Sequence, residues 1–358
     1  MVAPKLRFQE FHGVWNNLKY KDVLTIKYGK DHKLLNEGIV PVYGTGGVMR
    51  YVDQYLHDGE SILIGRKGTI DQPKYVNEKF WTVDTLFYTQ IKDNCIPLFL
   101  YQHALQVNWL GLNEATGVPS LNTTSINNVD IALPPKAEQT KIASFLSAVD
   151  EKIAQLSQKL HLLDQYKQGI MQKLFSQQIR FKADDGSEFT EWDKIKLSDV
   201  AFTTTGSSNR EDSTESSGEY TFFDRSEDIR TSSKYLYDCE TLIVPGEGST
   251  FKPKYFKGKF DLHQRAYAIM KFKNIEAKFL YFFIQHHHQY FISAAVGSTV
   301  KSLRLPMFQN MPVKLPCLAE QKKIANFLSA IDQKIDVTTE QLEQAKLWKK
   351  GLLQQMFV

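Results

Sequence analysis

The chain has 358 residues, 42% of them hydrophobic and 23% charged, with a formal net charge of +4. That length allows two or three domains, and the balance excludes a disordered or low-complexity polymer. The charge permits nucleic-acid binding without requiring it, no apolar run is long enough to cross a membrane, and the scattered Cys95, Cys239 and Cys317 argue against a disulfide scaffold.

The opening residues lack the apolar core of a signal peptide, so with the reducing cysteine pattern a cytoplasmic setting is expected. Taken in chain order, the first 132 residues read as short strands and turns. Apolar, β-branched runs at 61–64 and 82–89 predict strands, and 96–105 predicts a helix. Residues 133–179 open on Leu133-Pro134-Pro135 and continue as a long helix. A second strand-rich stretch, 180–314, carries predicted strands at 242–244 and 267–272 and a helix at 275–289. Its segment 203–217 has too few apolar residues to pack and reads as a surface loop. Residues 315–358 form a second long helix.

The two halves repeat. Residues 133–175 and 315–357 align without a gap at an offset of 182, with 20 of 43 positions identical. The modules before them also correspond. Trp15-Asn16-Asn17-Leu18-Lys19 matches Trp192-Asp193-Lys194-Ile195-Lys196, and Leu6-Arg7-Phe8 matches Ile179-Arg180-Phe181. Gly59-Glu60-Ser61-Ile62-Leu63-Ile64 parallels Cys239-Glu240-Thr241-Leu242-Ile243-Val244 at an offset of 180. Matching tryptophans fit a shared core better than base stacking.

Each long helix carries a heptad seam. The first seam is Ile142, Leu146, Val149, Ile153, Leu156, Leu160, Leu163, Ile170 and Leu174, and the second is Ile324, Leu328, Ile331, Ile335, Leu342, Leu352 and Met356. A seam of this period wants one partner helix, so the two helices are expected to pair as a coiled coil, each about 50 Å long over about 34 residues. Lys167 and Lys349 interrupt both seams at one register. Their stems can pack while the ammonium reaches water. Gly169 and Gly351 follow and predict a close backbone approach or a softened last turn. Glu138 and Glu320 sit in the first turns, where a carboxylate suits the helix N-terminus.

Catalytic patterns are missing. Gly44-Thr45-Gly46-Gly47 lacks the Lys-Ser/Thr ending of a phosphate loop. His286-His287-His288 point in three directions on a helix and read as a polar helix end, not a metal site. No nucleophile elbow, methyltransferase sequence or nuclease arrangement is present. The chain therefore reads as non-catalytic, with no metal and no cofactor of its own.

The two copies Leu133-Pro134-Pro135-x-x-Glu138-Gln139-x-Lys141-Ile142-Ala143-x-Phe145-Leu146 and Leu315-Pro316-x-x-Ala319-Glu320-Gln321-x-Lys323-Ile324-Ala325-x-Phe327-Leu328, with Pro4-Lys5-Leu6-Arg7-Phe8 leading to Trp15, resemble the specificity subunits of type I restriction–modification systems. The resemblance covers the whole chain in order. It implies a mixed α/β (α+β) fold of two pseudo-symmetric target recognition domains separated by an antiparallel two-helix coiled coil. It also implies that each domain reads half of a split, asymmetric site in double-stranded DNA and that the helices set the spacer. Two modification (methyltransferase) subunits would dock on the helices, and restriction/translocase subunits would join them. S-adenosylmethionine, ATP and Mg would belong to those partners. A duplicated coiled-coil adaptor without DNA recognition is the alternative, and a fused enzyme built from both modules is a third.

Candidate DNA contacts lie on polar loops that offer cations, amides and hydroxyls. In the first module they are Tyr43, Thr45 and Arg50, then Arg66, Lys67 and Thr69, then Asn122 and Thr123. In the second they are Ser249, Thr250, Lys252 and Lys254, with Arg265, and Ser298, Thr299 and Lys301.

Overall fold

The structure, a computed structural model, describes residues 4–213 and 218–357. The chain divides into two compact units, Met1–Gln158 with Thr339–Val358, and Lys159–Thr338.

Within the described residues the first unit contains β1 (Asn16–Lys19), β2 (Leu24–Tyr28), β3 (Val40–Gly44), β4 (Gly47–Val52), β5 (His57–Gly65), β6 (Lys74–Thr82), β7 (Leu86–Ile91) and β8 (Asp130–Leu133). Strands β1 and β8 pair antiparallel and tie the start of the module to its end. The other six form one sheet in the order β2-β7-β5-β6-β3-β4. All its neighbours are antiparallel except β3 and β6.

The second unit repeats this plan with β9 (Asp193–Lys196), β10 (Phe202–Thr205), β11 (Tyr220–Phe223), β12 (Ile229–Ser232), β13 (Tyr237–Pro245), β14 (Lys254–Leu262), β15 (Ala266–Met270) and β16 (Pro312–Leu315). Strand β9 pairs with β16, and the sheet order is β10-β15-β13-β14-β11-β12. Again one pair, β11 and β14, is parallel.

The continuous apolar runs in β5 and β13 follow from burial on both sheet faces. Ile62 and Ile64 enter the core shared with the helix Pro97–Ala104, while Leu63 enters a second core with Phe80 and Tyr88. Leu242 and Val244 face the helix Ala277–His286, and Ile243 faces Phe223 and Phe260. Trp15 and Trp192 are buried core residues, as their matching positions suggested.

Three local expectations change. Residues 82–89 are not one strand, because β6 ends at Thr82 and β7 starts at Leu86, with a turn between. Segment 203–217 is not all surface loop. Thr203–Thr205 belong to β10, paired along β15, and Ser208 is fully buried, while residues 214–217 lie outside the described residues. Backbone pairing satisfies those polar residues where side-chain hydrophobicity gave no signal. The ring stack of His287 on Phe283, centroids 4.2 Å apart, makes the His286–His288 turn a packed element rather than a plain polar end.

The long helices span Lys136–Phe175, 40 residues, and Leu318–Met356, 39 residues, so they start before the heptads do. They run antiparallel where they meet. In the first unit Ile142, Leu146 and Val149 share a core with Leu352, Leu353 and Met356. In the second, Met171 and Leu174 share a core with Ile324, Leu328 and Ile331. No seam residue is exposed. The seam lysines do not simply reach water. Lys349 pairs with Asp150 at 2.5 Å, and Lys167 pairs with Asp332 at 2.5 Å, with both lysine side chains largely buried. A Cβ placed on Gly169 or Gly351 meets nothing within 4 Å, so neither glycine marks a close backbone approach.

A clamp fixes each helix start to its module. Glu138 is fully buried and takes two bonds from Arg7, at 2.6 and 2.7 Å. Glu320 is also fully buried and takes two from Arg180, at 3.0 and 2.7 Å. Beside them Gln139 accepts from the Ile96 amide at 2.7 Å and donates to the carbonyls of Asn94 and Pro134. Gln321 makes the same three bonds with Glu276, Asn274 and Pro316. The Glu-Gln pair in each copy is therefore a structural latch. Its value goes beyond the helix dipole, since breaking a buried ion pair on one side costs about 3–5 kcal/mol.

Candidate nucleic-acid interface

At one end of each sheet the strand connections gather into a loop cluster. In the first unit Thr45-Gly46 is the two-residue turn between β3 and β4, where Gly44 pairs with Gly47. That is a hairpin tip and not a phosphate loop. The Val83 amide donates to the Tyr43 carbonyl at 3.0 Å, which brings the β6–β7 turn beside it. The amides of Arg66 and Lys67 both donate to the Thr85 carbonyl. Gly68 donates to Pro119, Leu121 donates to Arg66, and Lys67 bridges Ser120. Gly68 holds φ +91, and a Cβ there would sit 3.8 Å from the Thr45 hydroxyl oxygen. Four segments separated in sequence thus meet. A cleft of about 600 Å³ beside them is lined by Asp31, His32, Lys33, Thr45, Met49, Asp84 and Thr85.

The second unit builds the same cluster. His263 donates to the Phe223 carbonyl, Gly248 to Lys301, and Leu303 to Gly246, while Glu247 bridges Ser302. Its chemistry differs. Glu247 pairs with Arg265 at 2.7 Å and with Arg225 at 3.4 Å.

The predicted contact residues distribute unevenly. Tyr43, Thr45, Arg66, Lys67 and Thr69 fall in or next to the first cluster. Tyr43 donates its hydroxyl to Glu78 at 2.5 Å. Arg66 donates to the Asp84 carbonyl at 3.1 Å and lies over the Tyr28 ring. Lys67 and Thr69 are exposed. Arg50 sits on the edge strand β4 and donates to the Leu35 carbonyl. Asn122 caps the helix Thr123–Asn127, accepting from the Ser125 amide at 2.7 Å and donating to Glu114. Thr123 is the first residue of that helix.

In the second unit Ser249 is exposed beside Glu247, and Arg265 is exposed on the β14–β15 turn. Thr250 donates to the Glu227 carboxylate, and Lys254 to the Glu227 carbonyl. Burial lowers the Lys254 ammonium below its ordinary range. Lys252 lines a separate cleft of about 540 Å³ with Asp164, Lys167, His286 and His288. Ser298, Thr299 and Lys301 are exposed on a loop closed by the Val296–Ser302 bridge.

Sequence reasoning passed over Arg225, Glu247, His32 and Lys33. A usable signal existed for the first two. The 180-residue offset seen between β5 and β13 carries Thr45 to Arg225 and Lys67 to Glu247. Among the described residues no cluster of His, Cys, Asp and Glu could hold a metal ion, and no helix is long and apolar enough to cross a membrane.

Two units of one topology, each presenting a loop cluster of cations, amides and hydroxyls at one end of its sheet, define a protein built as two copies of one recognition module. The type I restriction modification DNA specificity domain matches residues 13–165 and again 190–347, and the chain belongs to that family. It is 24% identical over 352 residues to the Type I restriction enzyme MjaVIII specificity subunit of Methanocaldococcus jannaschii, covering 83% of this chain and 76% of that protein. It is 27% identical over 154 residues to the EcoDI specificity subunit of Escherichia coli, covering 43% of this chain and 34% of that one. The fold is similar to the crystal structure of the type I restriction-modification S subunit from M. genitalium, with a TM-score of 0.75 and 16% identity, covering 100% of this chain and 99% of that one. The role of the chain is DNA specificity within a type I restriction–modification system, without catalysis of its own.

Proposed function

We propose that this chain reads a split, asymmetric DNA site. The domains within residues 1–132 and 180–314 would each take one half-site, and the helices of 133–179 and 315–358 would set the spacer. Two methyltransferase subunits would dock on the helices and carry S-adenosylmethionine, and restriction/translocase subunits would add ATP- and Mg-dependent activity. The observation that carries this reading is the pair of loop clusters, alike in backbone pattern and unlike in side chains. A shared scaffold with different donors and acceptors suits two different half-sites. The test is methylome sequencing of cells with and without the gene. Loss of methylation at one bipartite, asymmetric motif is expected, and an unchanged methylome would refute the proposal.

Within the first module Lys67→Ala is expected to weaken binding through that half-site alone and to lower the salt dependence of binding, as loss of a phosphate contact should. Titrations at several salt concentrations against DNA altered in either half check this. An equal loss through both halves counts against it.

A further inference from the structure

Three positions occupy equivalent places in the two loop clusters. The shared bonds Val83 to Tyr43 and His263 to Phe223 align Thr45 with Arg225 and Thr85 with Arg265. The shared bonds Gly68 to Pro119 and Gly248 to Lys301 align Lys67 with Glu247. Each pair is 180 residues apart. The first cluster therefore offers Thr, Lys and Thr, and the second offers Arg, Glu and Arg. Both triads carry the same formal charge, but only the second holds two guanidinium groups on one carboxylate.

That triad is built from below. The Arg225 amide donates to the Asp224 carboxylate at 2.7 Å, and the Arg265 amide donates to His263 Nδ1 at 2.9 Å. Asp224 and His263 are buried, 1% and 4% exposed, and stand 4.0 Å apart. Each arginine thus has its backbone pinned by a buried polar neighbour and its side chain held by Glu247, which is itself only 17% exposed. The two arginine side chains remain open to solvent, at 43% and 60%. A phosphate contact needs only charge on a flexible stem, and a carboxylate between two cations works against it. A fixed guanidinium fork suits a ligand with two acceptors at set positions. The O6 and N7 atoms of guanine are that ligand in the major groove.

We infer that Arg225 and Arg265 are the guanine-reading residues of the second unit and that Glu247 positions them. This rests on the proposed reading of half a DNA site by each unit. The complex reconstituted with its methyltransferase subunits would be offered duplexes randomised across both half-sites, and the methylated products would be sequenced. Arg265→Ala and Arg225→Ala are expected each to reduce a guanine preference by about tenfold or more, in the half-site of the second unit only. Arg265→Lys and Arg225→Lys, which keep the charge and guard against misfolding, should retain binding but not that preference. Glu247→Gln should relax the same positions, with Glu247→Gln/Arg265→Ala no worse than Arg265→Ala. A second half-site without guanine, or variants that lose affinity with the base preference intact, would overturn the assignment. A Glu247→Gln change confined to a position of its own would overturn the positioning role. If the wild-type complex methylates no split site, the proposed function itself fails. If it does and these variants read as wild type, only the present inference fails.

Discussion

At the scale of single residues, the two copies of the helix latch differ at the arginine, where among the described residues only Arg180 also donates to a backbone carbonyl, that of Thr190 at 2.6 Å, and at the tryptophan. Trp192 donates its indole N–H to Glu320 at 3.0 Å, whereas the buried Trp15 indole nitrogen has no partner. A bond to a charged acceptor is worth about 1.5–3 kcal/mol. Trp192→Phe should therefore destabilise its unit by about 2 kcal/mol more than Trp15→Phe destabilises the other, as denaturant unfolding of the two variants would show. His103 provides the pH handle. Its Nδ1 lies 2.9 Å from the Tyr20 hydroxyl, and burial pushes its pKa down from 6.5 to about 4. The unfolded chain takes up this proton first as pH falls. The stabilising contribution is thus complete above about 6.5 and drains away toward pH 4, amounting to about 3 kcal/mol. Unfolding midpoints measured from pH 7 to pH 4.5 should fall steeply for the wild type and less so for His103→Gln. Equal slopes would remove His103 as the cause.

At the scale of elements, the helix pair makes one contact twice. Asp150 and Asp332 are 182 residues apart, as are Lys167 and Lys349, and each lysine meets the aspartate of the other helix. Asp150 also accepts from Gln102 at 2.8 Å, so it links the helix pair to the helix beneath the sheet. These pairs are polar interruptions in an apolar seam. They suit a register device, because a shifted pairing would bury an ammonium without its partner. Asp332→Ala should cost about 1–3 kcal/mol, while Lys167→Met/Asp332→Ala should recover much of that loss. A double-mutant cycle gives the coupling, and additive single effects would show that the pair contributes nothing to register.

At the scale of the whole molecule, the proposed spacer role makes a length prediction. Deleting one heptad from each helix removes about 10 Å of rise. That corresponds to about three base pairs at roughly 34 Å per turn of about ten. Methylation mapping of the deletion protein should return both half-sites with a spacer shortened by about that amount. The original spacer would sink the idea.

The legible parts of this protein are those whose information is local or periodic. The heptads of 142–174 and 324–356, the buried runs of β5 and β13 and the matched tryptophans all followed from side-chain patterning. Strand β10, with its Thr203-Thr204-Thr205, was missed because its place in the sheet depends on backbone pairing with β15. The buried Arg7–Glu138 bond was equally hidden, since its partners lie 131 residues apart. The sequence by itself determined that the chain is duplicated, that each half ends in a seam-bearing helix, and that catalytic patterns are missing. Repetition and periodicity survive in one dimension. Only the tertiary structure decided which loops share a sheet end, and so placed Arg225 and Arg265 on one carboxylate. Loops carry no periodicity, and their neighbours are chosen by the strand order that gathers them.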